Sequence, residues 1–421
     1  MSGIPNDPSD GLRRTDLDWI RIAAFGLLIL YHVGVFYAPG PTAVGAWSPR
    51  VLHWLVVPML ALNPWRLLLL FVVSGAATRF MADKMSAGAL FRSRSSRLLI
   101  PLLFGVAVIV PPQVYVQLVE RYGLQGDYLS FLGPYFTGDH SFCRDGSCVI
   151  MPTYNHLWFV AYLWDYTVIL VAALAWAPKA VAWLQRGVER VLAGPGLILV
   201  PALWLVAAKA VIDPRFPLSG NPLTDWYSHA CYLPGFLLGF AIARSPSVWA
   251  RIEALRRVSL MGALSAYAAI ITLGVIFLGT DLHWLDHAKT GGGVARSPLP
   301  GAVKGLVWGF DQWFWILAAF GFGHRHLQGR DGPARRYLTE AVFPFYIIHQ
   351  TTIEVVGHYL APVRLPLALE AAIIIGLTAA SCVATYEIAR RVPWLRPLFG
   401  LKPEPRRKPA PAPRTVFADV C

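Results

Sequence analysis

Long apolar segments recur along the whole chain of 421 residues, and they restrict its fold more than any other feature. An α-helix needs about 20 predominantly apolar residues to cross the ~30 Å hydrocarbon layer of a bilayer. Hydrophobic residues make up 56% of the sequence and charged residues only 14%, whereas a water-soluble domain carries about 25% charged residues. We therefore predict an all-α polytopic membrane protein. About ten transmembrane helices are expected, at residues 17–38, 55–80, 98–119, 154–177, 196–212, 228–244, 258–279, 303–322, 341–361 and 364–389.

Basic residues alternate between loops, and this pattern predicts how the chain is inserted. Lys and Arg are concentrated after the second, fourth, sixth and eighth predicted spans, while the intervening loops are poorer in them. Both termini are therefore expected in the cytoplasm. The predicted organisation is a cytoplasmic N-terminal segment (1–16), a transmembrane domain (17–390) and a Pro-rich basic cytoplasmic tail (391–421). We interpret this tail as a disordered segment held near anionic lipid, and we expect no nucleic-acid partner.

Cysteine spacing indicates at most one disulfide bond. Cys143 and Cys148 lie close together in a loop that is expected on the outer side, where an oxidising periplasm permits a bridge. The sequence leaves open whether they are bonded. Cys231 and Cys382 lie in predicted spans, where a free cysteine behaves as a small apolar packing residue.

Few ionisable residues lie inside the predicted spans, and each is a candidate for function because a charge in lipid costs a few kcal/mol. Asp18 and Arg21 lie near the cytoplasmic end of the first span, and His32 lies roughly 16 Å further along the helix axis. Asp18 and Arg21 also fit a structural ion pair at the membrane surface. His32 also fits a hydrogen-bonded packing residue.

The ninth span contains two further histidines and a carboxylate: His349, Glu354 and His358. A neutral imidazole accepts a proton near pH 7, so these residues suit either acid–base catalysis or proton-coupled transport. Sequence spacing does not determine whether His32 and His349 meet.

Arg94 and Arg97 are three residues apart at the start of the third span, so they share a helix face that suits phosphate binding. Ordinary anchoring by positive charge on the inner side explains either residue equally well. The sequence has no motif of a nucleotide-driven transporter or a serine hydrolase. His324 and His326 lie in the basic loop predicted after the eighth span, without ligand-spaced partners, so no metal site is expected.

Five stretches, taken together in this order, resemble the acyltransferase 3 family of integral membrane acyltransferases. The resemblance covers the chain to about residue 395 and is greatest to the glucan biosynthesis protein C group. The O-antigen acetylase type carries a Glu soon after the Leu-Trp of helix four, whereas this chain has Asp165 further along, which favours the glucan group. The stretches are "LDWIRIAAFGLLILYH", "FVVSGAATRF", "RSSRLLIP", "NHLWFVAYLWDY" and "FPFYIIHQ".

The resemblance implies an O-acyltransferase of the bacterial cytoplasmic (inner) membrane. It would move an acetyl or succinyl group from cytoplasmic acyl-CoA to a hydroxyl of an extracytoplasmic glycan such as periplasmic glucan. Acyl-CoA is then a donor substrate, either acetyl-CoA or succinyl-CoA, and no permanently bound cofactor is expected. His32 and His349 match the family's histidines and are the predicted catalytic residues, with His32 at the position of the family's catalytic histidine. Arg94 and Arg97 match the basic pair associated with the donor. Arg21 matches the motif partner of the helix-one histidine, and we expect it to bind the donor with them.

Several alternatives remain open from the sequence. His32 can act as a general base or as a nucleophile that forms an acyl-imidazole. His156 and Trp158 either border the acceptor entry or belong to an interfacial aromatic belt. The main alternative function is a transporter of a glycan or small metabolite with His32, His349 and Glu354 as a proton relay. Another is a structural subunit in which the polar residues only pair helices.

Overall fold

The computed structural model describes residues 14–38, 48, 50–144, 147–216, 218–278 and 300–403. Most of the predicted N-terminal segment and tail lies outside the described residues. In chain order the helices are α1 (Thr15–Tyr37), α2 (Val56–Ala82), α3 (Ala87–Phe104), α4 (Pro111–Tyr122), α5 (Tyr128–Thr137), α6 (Trp158–Trp176), α7 (Pro178–Leu192), α8 (Gly196–Ala207), α9 (Trp226–Ile242), α10 (Pro246–Leu278), α11 (Gly301–Leu327), α12 (Pro333–Leu360), α13 (Leu367–Arg391) and α14 (Leu395–Leu398).

The predicted helical class is confirmed, because every predicted span contains a helix. The β-structure of the described residues is one antiparallel pair of two-residue strands, β1 (Cys143–Arg144) and β2 (Ser147–Cys148). Cys143 and Cys148 face each other in this pair and form a disulfide bond. The question that the sequence left open is thus answered in favour of the bridge.

The number of membrane crossings differs from expectation when judged by helix length and composition. Within the described residues, six helical segments are long and apolar enough to cross a bilayer. A seventh would be the pair formed by α7 and residues Gly196–Ile212, which bend by 108° relative to each other. Helix α9 has only 17 residues, while α11 and α12 are long but contain polar and charged positions. These measures support six or seven crossings rather than ten.

Helices α1 and α12 pack side by side and run in the same direction. Near the start of both helices, the completely buried Arg335 donates to Asp18. Arg335 also donates to Asp331 (2.8 Å), and this hydrogen bond is the main reason that the pKa of Asp331 lies below its ordinary value. Near their other ends, Phe36 packs against Gly357, where a Cβ would overlap the Phe36 ring. Because the helices are parallel, residues at matching depths in α1 and α12 meet.

Helix α11 packs antiparallel to α1 and corrects one expectation. The predicted loop containing His324 and His326 is the last turn of α11, which ends at Leu327. The Thr15 hydroxyl donates to the carbonyl of Leu327 (3.0 Å), one of the groups that a helix end leaves without a partner. His324 Nδ1 lies 3.1 Å from Asp16 Oδ2. These contacts with the start of α1 stabilise the extra helical turn.

The third predicted span is a long helix interrupted by a wider turn. A π-helical turn, Gly105–Ile109, joins α3 to α4. Proline has no backbone N–H, so Pro111 and Pro112 prevent a regular continuation of the helix. The Ile109 carbonyl accepts instead from the hydroxyl of Thr351 in α12 at 2.7 Å. The contact of Thr351, two residues after His349, therefore holds α12 against the α3–α4 segment.

Candidate active site

Two histidines that are 317 positions apart in the chain are in direct contact. His32 in α1 and His349 in α12 lie at matching depths, and His32 Nδ1 is 3.0 Å from His349 Nε2. His349 is completely buried, whereas His32 is partly exposed. The other ring nitrogen of His349, Nδ1, is 2.7 Å from the carbonyl oxygen of Tyr346. The contact joins the two residues that the sequence analysis assigned as catalytic.

The hydrogen-bond chain determines which nitrogens carry protons when both rings are neutral. A carbonyl oxygen only accepts, so His349 Nδ1 must donate to Tyr346. His349 Nε2 is then an acceptor, and His32 Nδ1 donates to it. This assignment leaves a lone pair on Nε2 of His32. That nitrogen is therefore the one able to accept a proton or attack a carbonyl group.

A third histidine, His156, belongs to the same cluster. Its ring centroid is 5.3 Å from that of His349, and its Nε2 donates to the carbonyl of Ile347 (3.1 Å). Gln113 Nε2 lies 3.3 Å from the remaining nitrogen, Nδ1, and the Tyr346 hydroxyl donates to the His156 carbonyl. His156 is thus buried and hydrogen-bonded beside the histidine pair, which an interfacial belt residue would not be.

Trp158 is the first residue of α6, and its neighbours differ from those of His156, which lies in the 3-10 turn directly before this helix. The Trp158 ring packs against Tyr162 (5.2 Å between centroids) and Tyr232 (5.8 Å). Tyr232 in turn stacks on Phe71 at 4.8 Å. The two residues predicted to border an acceptor entry therefore face different neighbours, and only His156 touches the histidine pair.

Three arginines from two helices gather at the start of α1. Arg94 donates weakly to the Thr167 hydroxyl (3.3 and 3.4 Å) and lies close enough to Arg97 and Arg21 for their charges to repel. Arg21 donates to the carbonyl of Thr339 at 2.8 Å. Like charges that are held close together repel each other, so this arrangement is stable only when an anion or solvent compensates the charges. The structure therefore brings together all three residues predicted to bind the donor.

The other ionisable residues of α12 have partners of their own. Glu354 is buried and accepts from the amide of Gln350, one turn earlier in the helix. His358 contacts Glu120 at 2.7 Å. Across the described part of the chain, no group of three or more His, Cys, Asp or Glu side chains is arranged to bind a metal ion.

One residue near the histidines was not assigned a role from the sequence. Arg66 interrupts the second apolar segment, and it is only 2% exposed. Its guanidinium lies over the Tyr31 ring, 4.0 Å from the centroid, and Tyr31 directly precedes His32. The sequence feature that could have identified Arg66 is a charged residue inside a predicted span. Its position beside the histidines depends on the packing of α2 against α1, which sequence spacing does not give.

The acyltransferase domain of the acyltransferase 3 family matches residues 14–387, which include every residue of the histidine and arginine clusters. The chain belongs to this family. It is accordingly a multi-pass membrane acyltransferase.

Curated relatives agree with this assignment over their full length. Glucans biosynthesis protein C of Shigella boydii serotype 4 (strain Sb227) is 22% identical over 418 residues, which cover 97% of this chain and 99% of the relative. The protein of the same name from Salmonella gallinarum (strain 287/91 / NCTC 13346) is 22% identical over 417 residues, covering 96% and 97%. No solved structure matches the chain.

Proposed function

We propose that this acyltransferase moves an acetyl or succinyl group from cytoplasmic acyl-CoA to a hydroxyl group of an extracytoplasmic glycan. The observation that carries the proposal is the His32–His349 hydrogen bond, which leaves a lone pair on Nε2 of His32. The relatives named for glucan biosynthesis favour a glucan as the acceptor.

In the proposed reaction, His32 Nε2 removes the proton of a sugar hydroxyl as that oxygen attacks the thioester carbonyl. His349 accepts the hydrogen bond from Nδ1 of His32, so it orients the ring and stabilises the imidazolium that forms. The carbon–sulfur bond then breaks, and His32 returns the proton to the leaving thiolate. The same nitrogen can instead attack the carbonyl and form an acyl-imidazole, a route that differs by a covalent acyl-enzyme.

The arginine cluster is the proposed binding site for the donor phosphates. Arginine donates paired hydrogen bonds that suit phosphate oxygens. Arg21 and His32 are separated by roughly 16 Å along α1, a length that an extended pantetheine arm can bridge. The nucleotide would then remain on the cytoplasmic side while the thioester reaches His32, with the acceptor entering from the other side near His156 and Trp158.

The packing directions of the helices support the proposed topology of ten spans with both termini in the cytoplasm. If the α3–α4 unit is the third span, α1 and α12 are the first and ninth, and their parallel packing fits two odd-numbered spans. Helix α11, the eighth, is antiparallel to α1, as required. The disulfide between Cys143 and Cys148 fits the oxidising outer side of a bacterial inner membrane.

Acyl transfer by the purified protein in lipid vesicles tests this proposal. Radiolabelled acetyl-CoA or succinyl-CoA is supplied on one side and glucan on the other. We expect wild type to label glucan with at least one donor and His32→Ala to lose at least 100-fold in rate, as general-base removal does. His326→Ala, which changes an exposed histidine in α11, is the matched control and retains activity. Unlabelled glucan with both donors, or full activity in His32→Ala, contradicts the proposal.

A further inference from the structure

Arg66 carries a positive charge in the interior of the protein without an acidic partner. Two of its nitrogens, Nε and Nη1, are buried and have no hydrogen-bond partner among the described residues. Its electrostatic partners are the phenols of Tyr31 and Tyr232, and no ion pair joins it to a described carboxylate. The face of a tyrosine ring attracts a cation, but it leaves the N–H groups of the guanidinium unused.

Such an arrangement is unfavourable in the protein alone. A buried polar group that lacks a hydrogen bond destabilises the fold, and a buried charge does so more strongly. Arg335, which is equally enclosed, donates instead to both Asp18 and Asp331. At Arg66, an anion from outside the chain would supply the partner that the protein does not.

That position lies beside the proposed reaction centre. The rings of Tyr31 and His32 have centroids 5.8 Å apart, and Arg66 sits on Tyr31. The charge of Arg66 acts on both His32 and His349. Tyr232, the other aromatic neighbour of Arg66, packs against Trp158. Arg66 of α2 thus lies against the residue that precedes His32, while α12 supplies His349.

We propose that Arg66 binds an anionic oxygen of the acyl group that is transferred at His32, an inference that rests on the proposed function. Two sources supply such an oxygen. One is the carboxylate of a dicarboxylic acyl group, which is present throughout the reaction. The other is the oxyanion that forms at the attacked carbonyl.

The two sources differ in when the negative charge is present during the reaction. When the sugar oxygen bonds to the thioester carbon, the π electrons of the carbonyl move onto its oxygen, and His32 takes the hydroxyl proton. When the carbonyl re-forms, the carbon–sulfur bond breaks and the thiolate takes that proton. A carboxylate contact with Arg66 strengthens donor binding and selects among donors, whereas an oxyanion contact stabilises only the transition state.

The test compares succinyl-CoA with butyryl-CoA, which have acyl chains of equal length that end in a carboxylate and a methyl group. Transfer to glucan is measured for wild type, Arg66→Met and Arg66→Lys, with folded protein quantified by size-exclusion chromatography. If Arg66 binds a carboxylate, wild type prefers succinyl-CoA, and Arg66→Met lowers kcat/KM about 100-fold for succinyl-CoA only. If it binds the oxyanion, kcat falls by a similar factor for both donors at unchanged KM.

Arg66→Lys keeps the charge but not the planar fork of N–H groups. We expect it to show the same pattern with a smaller loss, about tenfold, so it decides the question if Arg66→Met does not fold. Rates within threefold of wild type for both donors in either folded variant overturn the inference. An equal rise in KM for both donors at unchanged kcat also overturns it. If wild type transfers neither acyl group, the proposed function itself is contradicted. If wild type is active but replacing Arg66 has no effect, only the inference about Arg66 is contradicted.

Discussion

At the scale of single residues, His32 and His349 have different tasks because they differ in exposure. The completely buried His349 donates to the Tyr346 carbonyl and accepts from His32, so it orients His32 without reaching a substrate. We therefore expect His349→Ala to lower kcat about 100-fold with little change in KM. His349→Gln keeps a side-chain oxygen that accepts from Nδ1 of His32, and it should retain more activity. Equal losses in folded His349→Ala and His349→Gln, measured as kcat, would show that orientation through this hydrogen bond is not what matters.

The arginine cluster yields a prediction about donor binding rather than chemistry. Replacing Arg94 by Gln removes one cation and one set of charge-assisted hydrogen bonds from the proposed phosphate site. The KM for acyl-CoA should rise about tenfold, and kcat should stay near the wild-type value. The exposed Arg92 lies two residues away on the same helix, so Arg92→Gln is the matched control. A fall in kcat without a change in KM would place Arg94 outside the donor site.

The residues of the site could be predicted individually, but their contacts could not. His32, His349 and Arg94 were identified because ionisable groups are rare in apolar segments and because they fall in family motifs. Whether His32 meets His349 depends on α1 and α12 being parallel neighbours, and no spacing within either segment carries that information. The same limit hid Arg66, whose charge was visible while its position over Tyr31 was not.

At the scale of helices, the contact between α2 and α9 depends on glycine. A Cβ on Gly75 would overlap the backbone carbonyl of Phe236, and one on Gly239 would overlap the carbonyl of Val72. Close approach through small residues is how membrane helices gain packing contacts without a hydrophobic driving force. The Ser-Gly motif at residues 74–75, which the sequence matched to the family, therefore has a packing role.

We expect Gly75→Ala to force these two helices apart and to destabilise the fold by at least 1–3 kcal/mol, the usual range for an overpacked core. A lower midpoint of thermal unfolding in detergent would report it. Gly376→Ala in α13 makes the same chemical change where nothing lies within 4 Å of the added methyl group. That control should unfold at the wild-type midpoint or slightly above it. A wild-type midpoint for Gly75→Ala would mean that the helices approach less closely.

The presence of each helix was more predictable from the sequence than the residues at which it begins and ends. Each apolar segment that was predicted as a span contains a helix, since lipid demands internally satisfied backbone groups. The ends depend on partners elsewhere in the chain: α11 reaches Leu327 because α1 supplies contacts to its last turn. The interruption after α3 had a visible signal in Pro111 and Pro112, but the hydroxyl that compensates it comes from Thr351.

At the scale of the whole molecule, the proposed reaction requires two substrates to reach one histidine pair from opposite sides of the membrane. The arginine cluster at the start of α1 and the disulfide-linked loop before α6 must then face different compartments. Helix length and composition support six or seven crossings, whereas the packing directions fit ten. The two counts differ at α9, α11 and α12, and at α8 when six are counted. The packing directions of α1, α11 and α12 do not test the crossing of the pair α8 and α9. If α8 and α9 do not both cross, the loop joining them lies on the same side as α7.

Cysteine accessibility tests whether α8 and α9 cross the membrane. In a background with every native cysteine replaced by serine, single cysteines are placed at Leu223, Trp183 and Trp394, which are 82%, 68% and 70% exposed. With ten spans, a membrane-impermeant maleimide added to cells with a permeabilised outer membrane labels Leu223→Cys. Trp183→Cys and Trp394→Cys become labelled only after the inner membrane is opened. If Leu223→Cys is protected together with Trp183→Cys, α8 and α9 do not cross as a pair, and the donor and acceptor would have to approach the histidines by another arrangement.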